Sequence, residues 1–167
     1  YLAPMEGLTG YVYRNAHRAC FGEMDGYFTP FLAPHRNREL KGKEIKDILP
    51  ENNQNIPVVP QILTNHAEDF VRTAEMLKKM GYRQVDFNLG CPSGTVVAKR
   101  KGSGFLVDLQ ELDDFFEQIF SGLSSELKIS VKSLSPNSRL LTYFRYSDLR
   151  KWFPLQQTKQ RIRYHML

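Results

Sequence analysis

Cys91 stands between Gly90 and Pro92, three residues after Asn88. Glycine admits backbone angles closed to other residues, and proline stiffens the exit, so such a loop can hold a thiol at one point over a pocket. A free thiol with a pKa near about 8.5 is mainly protonated at neutral pH; it can donate a proton or, once ionised, act as a nucleophile. A buried structural cysteine fits the same spacing. Three other segments join this one as candidates: Pro4-Met5-Glu6-Gly7, Gln61 and Lys132. Each ends a strand-like run, and parallel α/β folds gather their ligand sites at that edge. A solvated strand terminus is the plain alternative for Gln61 or Lys132 alone. Ser93-Gly94 and Gly102-Ser103-Gly104 bracket Lys99, Arg100 and Lys101. That basic, glycine-flanked loop could touch phosphates, or it is simply a charged surface loop; it is neither a P-loop nor a G-x-G-x-x-G fingerprint. His17, His35, His66 and His165 show no metal spacing, and no metal site is expected. Cys20, in an apolar helical run, reads as structural.

The elements that would position these residues follow a simple order. Tyr1–Met5 reads as a short strand, followed by a turn and a helix over Tyr11–Phe21. Gly26–Leu32 is a second strand candidate, and the polar residues 34–55 read mainly as connection. Pro57–Thr64 is a third strand. Asn65 then looks like a helix N-cap with Glu68 as its capping-box partner, ahead of a stripe at Phe70, Val71, Ala74 and Leu77, with Gly81 placed to end the helix. In Gln84–Leu89, Val85, Phe87 and Leu89 alternate with Asp86 and Asn88, so the two sets point to opposite sheet faces. In a barrel strand the first set would lie under the helices and the second in the interior. Asp113–Phe120 predicts a helix and Leu127–Lys132 a fifth strand. Strands alternating with helices at short spacing imply a parallel α/β architecture.

Composition is globular: 167 residues, 41% hydrophobic and 25% charged. No run approaches the roughly 18 apolar residues of a membrane span, and no secretory pattern opens the chain. Cys20 and Cys91 are the only cysteines and neither lies in a C-x-x-C pair, which argues against a disulfide framework and for a reducing, cytoplasmic setting. The net charge of +5 is uneven: residues 1–132 carry 16 basic against 17 acidic residues, and residues 133–167 carry 7 against 1. A basic tail can bind nucleic acid through phosphates; a solvated end reads equally.

Five stretches together resemble the tRNA-dihydrouridine synthase family: Leu2-Ala3-Pro4-Met5-Glu6-Gly7-Leu8-Thr9, Val59-Pro60-Gln61-Ile62, Asp86-Phe87-Asn88-Leu89-Gly90-Cys91-Pro92-Ser93, Lys101-Gly102-Ser103-Gly104-Phe105-Leu106 and Ile129-Ser130-Val131-Lys132. They occur in the family's order and cover residues 1–132. The resemblance implies an FMN-bearing TIM (β/α)8 barrel that reduces uridine to 5,6-dihydrouridine in tRNA, with NADPH as reductant. It implies that Cys91 protonates C5 of uracil as general acid and that Asn88 hydrogen-bonds the base. Pro4 and Met5 would pack near the isoalloxazine, and Gln61 and Lys132 would bind its polar edge. With tRNA as substrate, the basic loop makes Lys99 and Arg100 the candidates to meet its phosphates.

The likeness breaks after Lys132, where Ser133-Leu134-Ser135-Pro136 replaces the family's usual Thr-Arg and glycine. About five strands are counted against the eight of a barrel of about 250 residues, so an incomplete barrel is expected over 1–132, followed by a divergent basic tail over 133–167. A half barrel leaves edges unpaired, which predicts weak stability alone or association with another chain, together with poor FMN binding and little activity of the isolated chain. Two other readings stay open. One is a non-catalytic RNA-binding or interaction fragment derived from such an enzyme; the other is a different FMN-dependent barrel oxidoreductase.

Overall fold

Proline breaks in the sequence divide the strands. In the computed structural model, which describes residues 1–35, 40–123 and 126–133 and the backbone of 162–166, the first expected strand reduces to a single parallel bridge between Leu2 and Tyr27. Pro4, with no N–H to offer a ladder, stands just beyond it. The expected third strand splits at Pro60 into β2 (Val58–Val59) and β3 (Gln61–Ile62). β2 pairs with β1 (Tyr27–Phe28), while β3 pairs with β4 (Gln84–Asn88). Pro60 still serves as acceptor, its carbonyl taking the Asp86 N–H at 2.8 Å. β4 pairs with β5 (Lys128–Ser133), and every one of these pairings is parallel.

Helices fill the crossovers. α1 (Tyr11–Phe21) has the predicted bounds. α2 (Gly42–Ile48) and a 3-10 turn at Pro50–Asn53 stand where only connection was expected. α3 (Ala67–Lys79) carries the predicted stripe, with Phe70, Ala74 and Leu77 all fully buried. Its cap differs from expectation: His66, not Asn65, is the N-cap, no side chain caps it, and Asn65 Nδ2 instead reaches toward the Lys99 carbonyl at 3.4 Å. Gly81 follows the helix at φ 99°, a left-handed conformation that suits glycine. After the short α4 (Gly94–Val97) and a 3-10 stretch at Gly102–Val107, α5 (Leu109–Gly122) begins four residues before the predicted start, because Asp108 accepts a hydrogen bond from the Glu111 N–H at 3.1 Å and caps it.

β4 divides the molecule chemically. Its Val85 and Phe87, with Leu89 just beyond it, join Phe70, Ala74 and Leu77 of α3 and Leu112, Phe115, Phe116 and Ile119 of α5 in one buried cluster. Phe87 stacks on Phe115 with centroids 4.8 Å apart and meets Phe70 edge-on at 5.4 Å. Aromatic contacts of this kind add to the burial that drives helix onto sheet. Asp86 and Asn88, as the alternation predicts, point to the opposite face and are also buried.

The tail contributes one further element. β6 (Ile162–Met166) pairs in parallel with β5, from Ile129↔Ile162 to Ser133↔Met166. The basic tail thus supplies a strand: Ile162-Arg163-Tyr164-His165-Met166 alternates apolar and polar residues with period two, a short signal set among basic neighbours. The remainder of the proposed tail, residues 134–161 and 167, lies outside the described residues. The strands run in sequence order, β3-β4-β5-β6 in one sheet and β1-β2 in the other, and the described strands do not close into a barrel. No described helix is long and apolar enough to cross a membrane.

Candidate active site

Parallel register lines up side chains from three strands. Gln61 stands beside Asp86, and Asp86 beside Ser130; one pleat further on, Asn88 stands beside Lys132. Because these positions share one face, the sequence alternation that sends Phe87 into the core brings the polar residues together on the other side.

They form a connected chain. Ser130 Oγ donates to Asp86 Oδ1 at 2.6 Å, and Gln61 Nε2 donates to Asp86 Oδ2 at 2.7 Å. Asn88 Nδ2 donates to Gln61 Oε1 at 2.7 Å. Asn88 Oδ1 accepts the main-chain N–H groups of Gly90 at 3.1 Å and Cys91 at 2.9 Å. The Leu89 N–H continues the ladder to the Lys132 carbonyl at 2.8 Å. Gln61, Asp86, Asn88 and Ser130 are each 1% exposed or less, so bulk water does not compete for these bonds.

Burial sets the electrostatics. It pushes the Asp86 carboxyl up to about 6, against the hydrogen bonds from Ser130 and Gln61 and the positive charge of Lys132. Burial likewise lowers Lys132, opposed by the negative charge of Asp86 and by Cys91. Each group therefore offsets part of the other's desolvation.

A second support holds the Cys91 loop from outside. The Cys91 carbonyl accepts from both Ser103 N at 3.1 Å and Ser103 Oγ at 3.0 Å. Gly102 adopts φ 57°, and a Cβ there would lie 2.7 Å from the Cys91 carbonyl oxygen. Glycine is thus needed for conformation and for room. The thiol itself is partly exposed.

The other sequence candidates fall elsewhere. Pro4 and Met5 sit at the end of the first strand segment in a loop with its own bonds: Met5 N donates to Thr9 Oγ1 at 2.8 Å, and Thr9 N to the Met5 carbonyl at 3.1 Å. The Met5 side chain is half exposed. Arg100 is already engaged, pairing with Glu111 at 2.8 Å and Asp108 at 3.3 Å. Lys99 is exposed, while burial lowers Lys101 against the pull of Asp69. Cys20, read as structural from its apolar run, is exposed on α1, because the amphipathic helix turns that position outward.

Sequence reasoning gave no role to Asp86, Ser130, Ser103 or Arg14. The first two were findable from the same alternation that marks Asn88, since Ser130 interrupts Ile129 and Val131 as Asp86 interrupts Val85 and Phe87. Ser103 and Arg14 act over distance and leave no local pattern.

Comparison with known proteins places the chain among relatives of one family. The dihydrouridine synthase (Dus) family profile matches residues 1–133. The "Probable tRNA-dihydrouridine synthase" of Staphylococcus aureus is 30% identical over 152 residues, covering 90% of this chain and 43% of that protein. The corresponding protein of Staphylococcus epidermidis is 28% identical over 90% of this chain and 44% of its own length. The "Probable tRNA-dihydrouridine synthase 2" of Bacillus subtilis is 27% identical over 90% and 43%. The chain thus spans under half the length of the curated relatives it matches. The matched profile takes in the strands and loops that carry Gln61, Asn88, Cys91 and Lys132, and on that match the chain belongs to the dihydrouridine synthase family.

Proposed function

We propose that this chain forms part of an FMN-binding TIM barrel that reduces uridine in tRNA to 5,6-dihydrouridine, with NADPH as the source of electrons. The observation that carries the reading is the held Cys91 loop: a thiol just past a strand end, fixed through its own N–H and C=O, within electrostatic reach of Lys132, which stands beside Asn88 on the neighbouring strand. Membership of the family and the parallel strand order support it.

The donor set suits the ring end of a flavin. An amide at Gln61 and an ammonium at Lys132 match the nitrogen and oxygen edge of an isoalloxazine in kind, and the half-exposed Met5, following Pro4, offers apolar surface. When bound, FMN supplies hydride chemistry that the side chains lack. Lys132 would stabilise negative charge at the ring's polar edge. Asn88 would orient the base, and Cys91 would deliver the Sγ proton to C5 of uracil, quenching the carbanion-like charge that reduction leaves there. The target base must leave its stack to reach such a site. Lys99, exposed on the adjoining loop, and Arg100 would meet the RNA backbone, Arg100 only by exchanging its present carboxylate partners.

Flavin absorbance and a dihydrouridine assay on tRNA, run on wild type and Cys91→Ala, test this. Product from the wild type, lost in Cys91→Ala with flavin retained, is the expected result. Equal turnover in the two proteins would sink the proton-donor role. Yellow protein that forms no dihydrouridine would favour another FMN-dependent oxidoreductase. Salt-dependent tRNA binding without flavin, lost on deletion of residues 133–167, would favour the non-catalytic RNA-binding reading that the basic tail suggests.

A further inference from the structure

The chain of bonds between Asp86 and Cys91 has a direction, and its two ends impose it. At one end the N–H groups of Gly90 and Cys91 can only donate, and both end on Asn88 Oδ1. At the other end an ionised carboxylate can only accept, and Asp86 Oδ2 takes Gln61 Nε2. Between them stand two primary amides, Gln61 and Asn88, each of which could in principle turn over. Only one arrangement satisfies every contact: the Gln61 amide nitrogen toward Asp86, its oxygen toward Asn88 Nδ2, and the Asn88 oxygen toward the main chain. Turning Gln61 alone would set its oxygen against the Asp86 oxygen at 2.7 Å and its NH2 against the NH2 of Asn88. Turning both would set the Asn88 NH2 against two N–H donors.

Asp86 is itself anchored. Ser130 Oγ donates to its second oxygen at 2.6 Å, and Gln84 Nε2 reaches Ser130 Oγ at 3.2 Å. A fully buried carboxylate is costly, and a core serving only to pack would not need one. We propose that Asp86 is a positioning residue: as the acceptor at the far end of the Gln61–Asn88 amide chain, it fixes the Asn88 oxygen on the Gly90 and Cys91 N–H groups and so holds the loop that carries the thiol. The catalytic consequence rests on the reading of Cys91 as proton donor; the positioning itself does not.

The alternative is that Asp86 merely offsets the charge of Lys132 or holds the sheet. Amide hydrogen exchange by NMR on the full chain, without flavin or tRNA, separates these. In Asp86→Leu, exchange at Gly90 and Cys91 is expected to rise on the order of tenfold, while the Leu89 amide, bonded to the Lys132 carbonyl, keeps its wild-type rate. Asp86→Asn, which retains an acceptor oxygen but no charge, is expected to stay within about threefold of wild type at all three amides. If Asp86→Leu fails to fold, Gln61→Met breaks the same chain one step nearer the loop and carries the same expectation. Unchanged exchange at Gly90 and Cys91 overturns the proposal. So does an equal rise at Leu89, which marks a general loosening of the sheet, and so does an Asp86→Asn protein as labile as Asp86→Leu. Because exchange is read without the reaction, this test and the dihydrouridine assay succeed or fail separately.

Discussion

Arg14 is the largest fully buried polar side chain among the described residues, and its replacement by alanine gives a sharp test of how the first loop is held. Nη1 donates to the Thr9 carbonyl at 2.9 Å; Nη2 donates to the Asp47 carbonyl at 2.6 Å and to Asn53 Oδ1 at 2.8 Å. One guanidinium therefore joins the Met5–Gly10 loop, α2 and the 3-10 turn after it. Burial lowers its pKa, opposed by the negative charge of Asp47, so the site already bears a desolvation cost. After Arg14→Ala the Asp47 carbonyl still receives Asn53 Nδ2 at 3.1 Å, but Thr9 O and Asn53 Oδ1 lose the donors described. Two stranded acceptors cost about 1–3 kcal/mol each. The Asp47 carboxylate, which acts on Arg14 through its charge, also loses that attraction. Recovery of the guanidinium's desolvation cost trims the total, which we set at about 4 kcal/mol. With a urea slope of about 2 kcal/mol per molar, the unfolding midpoint should fall by about 2 M. Arg14→Met restores volume without donors and should recover about 1–2 kcal/mol of that loss. Urea denaturation of the three proteins decides the matter. A midpoint for Arg14→Ala within about 0.5 M of wild type, equivalent to about 1 kcal/mol, would refute the reasoning.

Two further predictions concern the site. Asp86 titrates near 6 in the fold against an ordinary 3.8, so the folded state favours its neutral form. Its contribution to stability is present in full below the unfolded value and is lost as pH rises through about 6. A shift of about two pH units corresponds to about 3 kcal/mol. The stability of wild type minus that of Asp86→Asn should therefore fall by about that amount between pH 4 and pH 7; a difference that stays flat with pH, measured by urea denaturation, would count against the burial argument. Gly102→Ala places a Cβ 2.7 Å from the Cys91 carbonyl oxygen at φ 57°, whereas Gly94 has open space around its position. Gly102→Ala should cost about 2 kcal/mol, or about 4–8 °C in melting temperature, and Gly94→Ala about 1 °C or less; equal melting of the two variants would disprove the close packing of Gly102 on the thiol loop.

What could be read from sequence follows from the range of the forces involved. Period-two alternation in Gln84–Leu89 predicts both the aromatic core contact of Phe87 and the inward placement of Asn88, because side-chain direction in a strand is local. The bounds of α1 and the glycine after α3 are local as well. α2 was missed because tertiary contacts secure it: Glu44 accepts from the N–H groups of Lys41 and Ala33, and Asp47 from that of Tyr11, 36 residues away. The Asn65 capping box failed although its residues are correct, since the helix begins one residue later and Asn65 turns toward the loop at Lys99. Arg100 reads as a free cation in sequence; the cap of α5 supplies two carboxylates that no local rule pairs with it.

The same distinction explains why the thiol loop could be located from sequence but its support could not. Gly90, Cys91 and Pro92 are adjacent in the chain, so their motif is visible. The groups that hold Cys91 come from β3, from the middle and end of β4 and from Ser103, and they converge only because parallel pairing puts Gln61 beside Asp86 and Asn88 beside Lys132. One strand thus serves two roles. Its outward residues fix β4 against α3 and α5, and that rigid backing lets its inward Asp86 and Asn88 each keep a hydrogen bond of 2.7 Å to Gln61 of β3. A change that loosens Phe87 in the core should therefore be felt at Cys91, although the two side chains lie on opposite faces of the sheet. The stability of the fold and the geometry of the proposed chemistry are carried by the same five residues of β4 and the loop that follows it.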